Sequence, residues 1–505
     1  MPKRAIIVGA GYGGMALANL LGKAGYKVDV YEKNQYLGGR ISAVKKDGFL
    51  FDLGPSWYLM PEVFEQYYEL FDASAKERLD IVRFSPGYRV FFEDKPSADV
   101  MADIEQDRKL FESIEPGAGE KLKRYVNRST QTYNMAVKYF LYNNFERVVD
   151  VLRWPIIKHS WLMVVLLCMS LNGYVSRIFR DIRLRQLLQY HMVFLGSSPF
   201  EAPAIYSLMT HLDFSSGVFY PRRGMLSLAD DMRALGSDYD ITYHTNQEVV
   251  KIIVENGQAV GVQLADGSEA LSDIVVSNAD LAFSETKLLS EGSQTYPQRY
   301  WQKRQPGPGA LLISLGVKGR IDNLRHHNLY FVKNWRENFD DIYRQAKVPE
   351  HASIYVCNPT KTDSSLAPKG HENLFILVPI PAGVSLDAES EARLADRIIL
   401  TISEQMAIPK LSERIVSRHL FGPNSFESQF HAWQYNAFGG ESHRLFQSVI
   451  FRTNNQSKRV SNLYYVGAGT LPGIGLPMCL IGAQLTYKKI VGDRRAGPLR
   501  SEGLV

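Results

Sequence analysis

The chain opens with RAIIVGAGYGGMALANLLGKAG at residues 4–25, and this stretch decides the fold. Ala5–Val8 is a short apolar run, suited to a strand buried on both faces. Gly9, Gly11 and Gly14 then meet the G-x-G-x-x-G spacing. Met15–Ala24, rich in Ala and Leu, reads as a helix with Gly25 as its stop. Lys27–Tyr31 (KVDVY) reads as a second strand, ended by Glu32. Strand, glycine turn, helix, strand and acid in this order mark a dinucleotide-binding unit. Gly9 permits the tight turn, Gly11 lets backbone approach a pyrophosphate, and Gly14 lets the helix pack close to the strand. The helix N-terminus offers free N–H groups and partial positive charge to phosphates. Glu32 is spaced to accept hydrogen bonds from ribose hydroxyls.

A similar pattern returns near the far end, in LYYVGAGTLPGIGLPMCLIGAQLTYK at residues 463–488. It lacks the other marks of a second nucleotide unit, because no acid-terminated strand follows it. The expectation is therefore a return to the first domain. Leu463–Val466 rejoins the sheet, and a helix starts near Pro477, a residue favoured at the first helical position. Between the two ends, Gly38-Gly39-Arg40 offers backbone that can lie against a cofactor and a guanidinium fork that suits pyrophosphate oxygens. The plain alternative for these three is a turn with a surface arginine. FDLGPS follows at 51–56. Glu248–Val254 and Ala259–Leu264 read as two strands around an Asn256-Gly257 hairpin turn, with Asp266-Gly267 as the next turn.

Taken together, GAGYGG, YEKN, GGR, FDLGPS and the C-terminal YYVGAGTLPGIGLP resemble the FAD-dependent amine-oxidase and phytoene-desaturase superfamily. The narrower resemblance is to bacterial-type phytoene desaturases and their carotenoid-modifying relatives. It runs through most of the chain, including SSPFEAPAIYSLMTHLDFSSGVFYPRRGM (197–225), TNQEVVKIIVENGQAVGVQLADG (245–267) and SDIVVSNAD (272–280). The fold it implies is α/β: a Rossmann-like, glutathione-reductase-type FAD-binding domain with an inserted mixed α+β substrate and membrane-association domain. The FAD-binding domain would be discontinuous, at 1–95, 215–300 and 455–495. The substrate domain would take 96–214 and 301–454, with a membrane-associating part near 154–185 and a flexible tail at 496–505. The resemblance also implies cofactor contacts at Gly9, Ala10, Gly11, Gly13, Gly14, Glu32, Lys33, Gly39, Arg40, Pro55, Ser56, Val249, Asn278, Gly467, Ala468, Pro477 and Met478. Val249 would touch the adenine, and equally reads as a core strand residue. Gly467–Thr470 would pass the ribityl and phosphate region. The helix from Pro477 would present free N–H groups at Met478 and beyond, whose dipole suits the negative charge of a reduced flavin. Gly473 and Gly475 would let backbone run against the ring.

Two positions depart from the commoner family pattern. Leu471-Pro472-Gly473 stands where many relatives have His-Pro-Gly, and Pro477-Met478 where many have Pro-Gly. These changes leave desaturase, ketolase and isomerase chemistry open. The implied reaction is hydride transfer to flavin plus proton loss, taking phytoene toward lycopene-type products, with quinone or oxygen as electron acceptor. No catalytic base stands out; Glu201, Asp213 and Glu427 lie in the right segments without being assigned. A Rab GDP-dissociation inhibitor would share the fold without using flavin, but the intact Gly9, Gly11, Gly14, Glu32 and Arg40 set argues against it. A soluble amine or amino-acid oxidase would need polar substrate anchors instead.

The bulk numbers fit an enzyme of two or three folding units: 505 residues, 45% hydrophobic and 22% charged. The net charge of +5 is mild, and no Lys/Arg block resembles a nucleic-acid tail. Lys3 and Arg4 precede an apolar run, but glycines at fixed offsets interrupt it, unlike a signal peptide. Cys168, Cys357 and Cys479 are scattered without metal-ligand spacing, so no metal is expected and a reducing cytoplasm suits them. Histidines 191, 211, 431 and 443 likewise lack ligand spacing and read as structural. Trp161–Val175 is mostly apolar, but shorter than the roughly 20 residues needed to span a bilayer. Arg147, Arg153 and Lys158 precede it, Arg177, Arg180, Arg183 and Arg185 follow it, and Trp154 and Trp161 sit near one edge. This pattern suits a segment dipping into one leaflet at the inner face of the cell membrane, or a buried helix lining the substrate domain. Either suits an apolar polyene substrate.

Overall fold

The computed structural model describes residues 2–145, 165–448 and 451–503. Five of the described strands pair in parallel, in the order Leu463–Tyr465, Ile274–Ser277, Arg4–Val8, Lys27–Glu32, Ile241–Thr245. Ile7, Val28, Val30 and Val276 pack under helices on one face, while Ile6, Val8 and Val275 share a core with Val249, Ile252 and Val262 on the other. Tyr12–Lys23 is the first of these helices, buried along nearly its whole length. The C-terminal helix Leu476–Val491 packs beside it, so the two ends of the chain form one layer. The antiparallel strands Val249–Glu255, Gln258–Leu264 and Glu269–Leu271 form the hairpin sheet, with the expected turn at Asn256-Gly257.

A second sheet of seven described strands carries the other half of the molecule. Its order is Ile415–Phe421, Gly309–Lys318, His371–Ile380, Ile354–Cys357, His327–Phe331, Tyr88–Phe92, Lys95–Val100. Tyr88–Phe92 pairs in parallel with His327–Phe331, so the chain enters the second sheet before residue 95, where the sequence suggested the boundary. The cause is tertiary: YRVFF reads as a strand anywhere, and its partner lies more than 200 residues away.

The 154–185 segment divides. Trp154, Trp161, Arg147, Arg153 and Lys158 lie outside the described residues. In the described part, Leu166, Leu171, Val175 and Phe179 are buried, while Arg177 and Arg180 face outward. No described helix is long and apolar enough to cross a membrane. The segment from 496, expected as a flexible tail, is anchored at Leu499. Leu499 is 4% exposed, its N–H donates to Gln484 Oε1 at 2.9 Å, and its carbonyl accepts from Gln66 Nε2 at 2.9 Å. A single apolar side chain among polar neighbours carries no sequence pattern that would reveal this docking.

Candidate functional site

The first turn is built by backbone bonds between the first two strands. Gly9 N–H donates to the Tyr31 carbonyl at 2.7 Å, and Ala10 N–H donates to Glu32 Oε2 at 2.8 Å. Glu32 is 5% exposed, and its Oε1 accepts from the Asn34 backbone N–H at 2.9 Å and from Asn34 Nδ2 at 2.9 Å. The carboxylate is thus held at the mouth of the turn. Gly38 N–H donates to the Ala10 carbonyl at 2.8 Å, which brings the Gly38-Gly39-Arg40 loop against it. A Cβ at Gly14 would lie 2.6 Å from the Gly9 carbonyl oxygen and 2.8 Å from Asn278 Oδ1, so only glycine lets the helix sit this close.

Asn278 follows the strand Ile274–Ser277 and joins the two glycine turns. Its N–H donates to the Val8 carbonyl at 2.8 Å, and its Nδ2 donates to the Val466 carbonyl at 2.9 Å. Gly467 lies beyond, at φ +115°, where an added Cβ would meet Asn278 Nδ2 at 2.7 Å. The Asn278 Oδ1 is buried on the cleft wall with no protein partner. A buried acceptor left in this state calls for a polar ligand or water.

Arg40 lies deeper in the cleft. Its Nε donates to the Ala437 carbonyl at 2.9 Å and its Nη2 to the Asn436 carbonyl at 3.1 Å, with the Phe430 ring 5.3 Å below. Burial pushes its guanidinium pKa down, and Asp280 opposes that. Burial raises the Asp280 carboxyl, and Arg40 pulls it back. Asp280 also caps the helix Leu281–Lys287, accepting from Ala282 and Phe283 N–H. Lys33 lies at the rim of the same cleft with its ammonium committed to protein. It donates to the Ser428 carbonyl at 2.7 Å and lies 3.0 Å from His431 Nε2, which in turn meets Glu248 Oε1 at 2.8 Å. Val249 is 4% exposed and lines the cleft beside Glu248. Pro55 lines the cleft, whereas the Ser56 hydroxyl turns to the second sheet and donates to Tyr355 Oη at 2.7 Å.

The far end of the chain forms another wall. Gly467, Ala468, Leu471, Pro472, Gly473 and Gly475 line the same cleft, followed by Pro477 and Met478 at the start of the C-terminal helix. No side chain caps that helix, so its first N–H groups remain open. Behind this wall lie two residues that the sequence did not single out for this role. Arg452, 5% exposed, donates from Nη2 to the Ala468 carbonyl at 2.9 Å. His443 donates from Nδ1 to the Leu195 carbonyl at 2.5 Å, and burial pushes its pKa down to about 3, with Arg452 adding to the effect. The imidazole is neutral at every working pH. A Cβ on Gly473 would come within 3.3 Å of His443 Nε2.

One cavity of about 620 Å³ joins these walls to an apolar chamber. The helix Ala118–Ala136 and its continuation Val137–Leu141 contribute Met135, Phe140 and Leu141. Phe194, Ile205, Leu208 and Met209 close another side, and Leu312 and Leu377 of the seven-stranded sheet form the floor. The charged lining residues Glu32, Lys33, Arg40, Glu248 and Asp280 belong to the cleft half described above.

The unassigned acids do not enter this cavity. Asp213 is 1% exposed and accepts from Tyr88 Oη at 3.1 Å, Tyr190 Oη at 2.5 Å and His191 Nε2 at 2.9 Å, a closed internal network. Glu201 is held by Arg344 and Arg444. Glu427 lies on the helix Pro423–Phe430 and does not line the cavity.

The family model for flavin-containing amine oxidoreductases matches residues 12–485. The chain belongs to this family. Like its relatives, this amine-oxidoreductase-family chain is an FAD-dependent oxidoreductase. Among curated proteins it is 37% identical to a carotenoid 3,4-desaturase of Haloarcula japonica, over 96% of this chain and 98% of that protein. It is 32% identical to a zeta-carotene-forming phytoene desaturase of Myxococcus xanthus, over 97% and 94%. Among solved structures it shares the fold of putrescine oxidase, with a TM-score of 0.63 and 16% identity over 97% of this chain and 99% of that one. A Rab GDI from Plasmodium falciparum has a TM-score of 0.53 at 12% identity, over 99% and 100%.

The residues present fit FAD in this family member. The Gly9–Gly14 turn and the open helix N-terminus behind it suit the pyrophosphate, Glu32 the ribose, and Val249 the adenine end. The unpartnered Asn278 Oδ1 and the uncapped helix start behind Pro477, with the Met478 N–H, suit the remainder. When bound, FAD supplies a hydride acceptor. The chain's own contribution is an apolar chamber, with a neutral His443 and a buried Arg452 beside the Gly467–Gly475 wall.

Proposed function

We propose that this protein desaturates an apolar carotenoid polyene, removing a hydride and a proton from adjacent carbons, with phytoene-type hydrocarbons as leading substrate. The observation that carries this reading is the continuous cavity, whose chamber half is walled by Met, Leu, Ile and Phe side chains and offers no charged anchor. A hydrocarbon has no polar handle, so its position must come from a long preformed apolar pocket. Exclusion of water protects the cationic character that develops as hydride leaves. Late desaturation near a polyene end group is the second reading, favoured by the 37% identity to the Haloarcula desaturase.

We infer that lipid delivers the substrate past two exposed rings beside the chamber. Phe446 is 67% exposed and Phe451 47% exposed, and their rings pack at 5.4 Å beside the lining residues Leu445 and Ser448. Exposed aromatics at the rim of an apolar cavity support docking on a membrane surface. The cytoplasmic face of that membrane, and a quinone or oxygen as electron acceptor, complete the proposal.

The test is the FAD-loaded protein in lipid vesicles, supplied separately with phytoene and lycopene, with quinone or oxygen present. New conjugated double bonds, read as a red shift of the extracted pigment, are expected from at least one substrate. Unchanged pigment from both, with flavin bound and reducible by dithionite, would refute the reading.

A further inference from the structure

We propose that His326, His327 and Cys357 form a zinc-binding site behind the substrate chamber. His327 opens the strand His327–Phe331 and stands directly opposite Cys357 in the antiparallel pair with Ile354–Cys357. Opposed residues of such a pair point to the same face, so imidazole and thiol converge. His326 is drawn in from the preceding position by the Asn358 N–H, which donates to its carbonyl at 2.7 Å. The two rings lie 4.4 Å apart, and one ligand atom from each of the three residues falls within 4.8 Å of the others.

Burial and hydrogen bonding make this more than a cluster. His326, His327 and Cys357 are 5%, 0% and 1% exposed. His326 Nδ1 meets Thr362 Oγ1 at 2.6 Å, and His327 Nδ1 meets Tyr355 Oη at 2.7 Å. The Nε2 atom of each ring is buried with no partner. Whichever tautomer forms, one nitrogen per ring is left unsatisfied in the interior, which proteins avoid. A metal-ligating histidine shows the same division of labour: one nitrogen on a fixed outer partner and the other on the ion. Trp57 stacks on His327 at 4.7 Å and Phe84 lies 4.4 Å from the His326 ring, which locks both rings. Two imidazoles and one thiolate select a borderline-soft ion such as Zn²⁺ over Mg²⁺ or Ca²⁺. Donors held roughly 2.0–2.3 Å from a tetrahedral ion lie about 3.3–3.8 Å from one another, so binding draws the three together slightly and releases the thiol proton. The ion would tie the strand that presents Tyr355 to the chamber wall to its neighbour His327–Phe331.

The test uses the full-length, FAD-loaded protein without a histidine tag, stripped with chelator and titrated with Zn²⁺. One equivalent is expected to bind, with X-ray absorption showing one sulfur and two nitrogen scatterers from protein. Cys357→Ser should remove the sulfur shell and weaken binding at least tenfold while flavin absorbance is retained. Absence of stoichiometric binding overturns the proposal, as does a zinc shell without sulfur or equal retention in Cys357→Ser. Should Cys357→Ser fail to fold, the scatterers seen in the reloaded wild-type protein decide the matter.

Discussion

Asn278 Nδ2 donates to the Val466 carbonyl at 2.9 Å, and this bond ties the middle of the chain to its last strand at the edge of the cofactor cleft. Asn278→Ala removes the donor and leaves a carbonyl unsatisfied, a loss of about 1–3 kcal/mol. Lower urea midpoints and weaker FAD retention are expected together. A fall in stability with unchanged FAD affinity would show that the bond is purely structural.

Gly14→Ala places a methyl 2.6 Å from the Gly9 carbonyl oxygen, which is backbone and has little room to yield. The helix must shift away from the strand, and FAD binding should fall by at least an order of magnitude. Gly292→Ala, where a Cβ meets nothing within 4 Å, is the control and should leave flavin content unchanged.

Arg452 holds a buried positive charge behind Ala468. Arg452→Met removes the charge at similar length. A cation near the reacting wall favours the reduced, anionic cofactor, so the flavin midpoint potential should become more negative. Roughly 30 mV corresponds to 1.4 kcal/mol for a two-electron couple. Redox titration with a reference dye reads the shift, and Arg452→Lys should restore part of it.

Asp107 is fully buried, accepting from Met101 N–H at 2.8 Å and Asp103 N–H at 3.2 Å. Burial raises its carboxyl from 3.8 to about 6. The folded chain therefore holds this proton more tightly than the unfolded chain. Its contribution is complete below about pH 4 and is lost as pH rises through about 6, an effect of order 3 kcal/mol. Asp107→Asn should flatten this segment of the stability–pH profile measured by denaturant unfolding.

Phe446 and Phe451 present exposed rings at the cavity rim. Replacing both with Ser should lower vesicle binding about tenfold, from roughly 1–2 kcal/mol of lost apolar burial. Cosedimentation with lipid vesicles measures it, and flavin content should not change.

The nucleotide half was legible because its signals are local. Gly9, Gly11 and Gly14 act within one turn, and Glu32 follows at the spacing that one helix and one strand impose. The Pro477 helix was legible for the same reason, since proline and a glycine-rich approach mark a helix start in any context. Arg40 was found by its neighbours Gly38 and Gly39, although the sequence held no sign that Ala437 and Asn436 carbonyls would grip it. Arg452 and His443 were missed because nothing near them repeats or alternates; a polar residue inside an irregular segment shows its burial only in three dimensions. The mutual influence of Asp280 and Arg40 joins segments 240 residues apart and left no mark in either one.

By itself the sequence determined the dinucleotide fold, the cofactor class and the return of the C-terminal segment to the first domain. Turn spacing, apolar periodicity and helix-start chemistry act over a few residues and need no other part of the chain. Tertiary structure alone decided which residues meet across the cleft. It placed Asn278 between two glycine turns, moved Tyr88–Phe92 into the second sheet and set His327 opposite Cys357. Strand register is a property of two distant segments at once, and no spacing within either one encodes it.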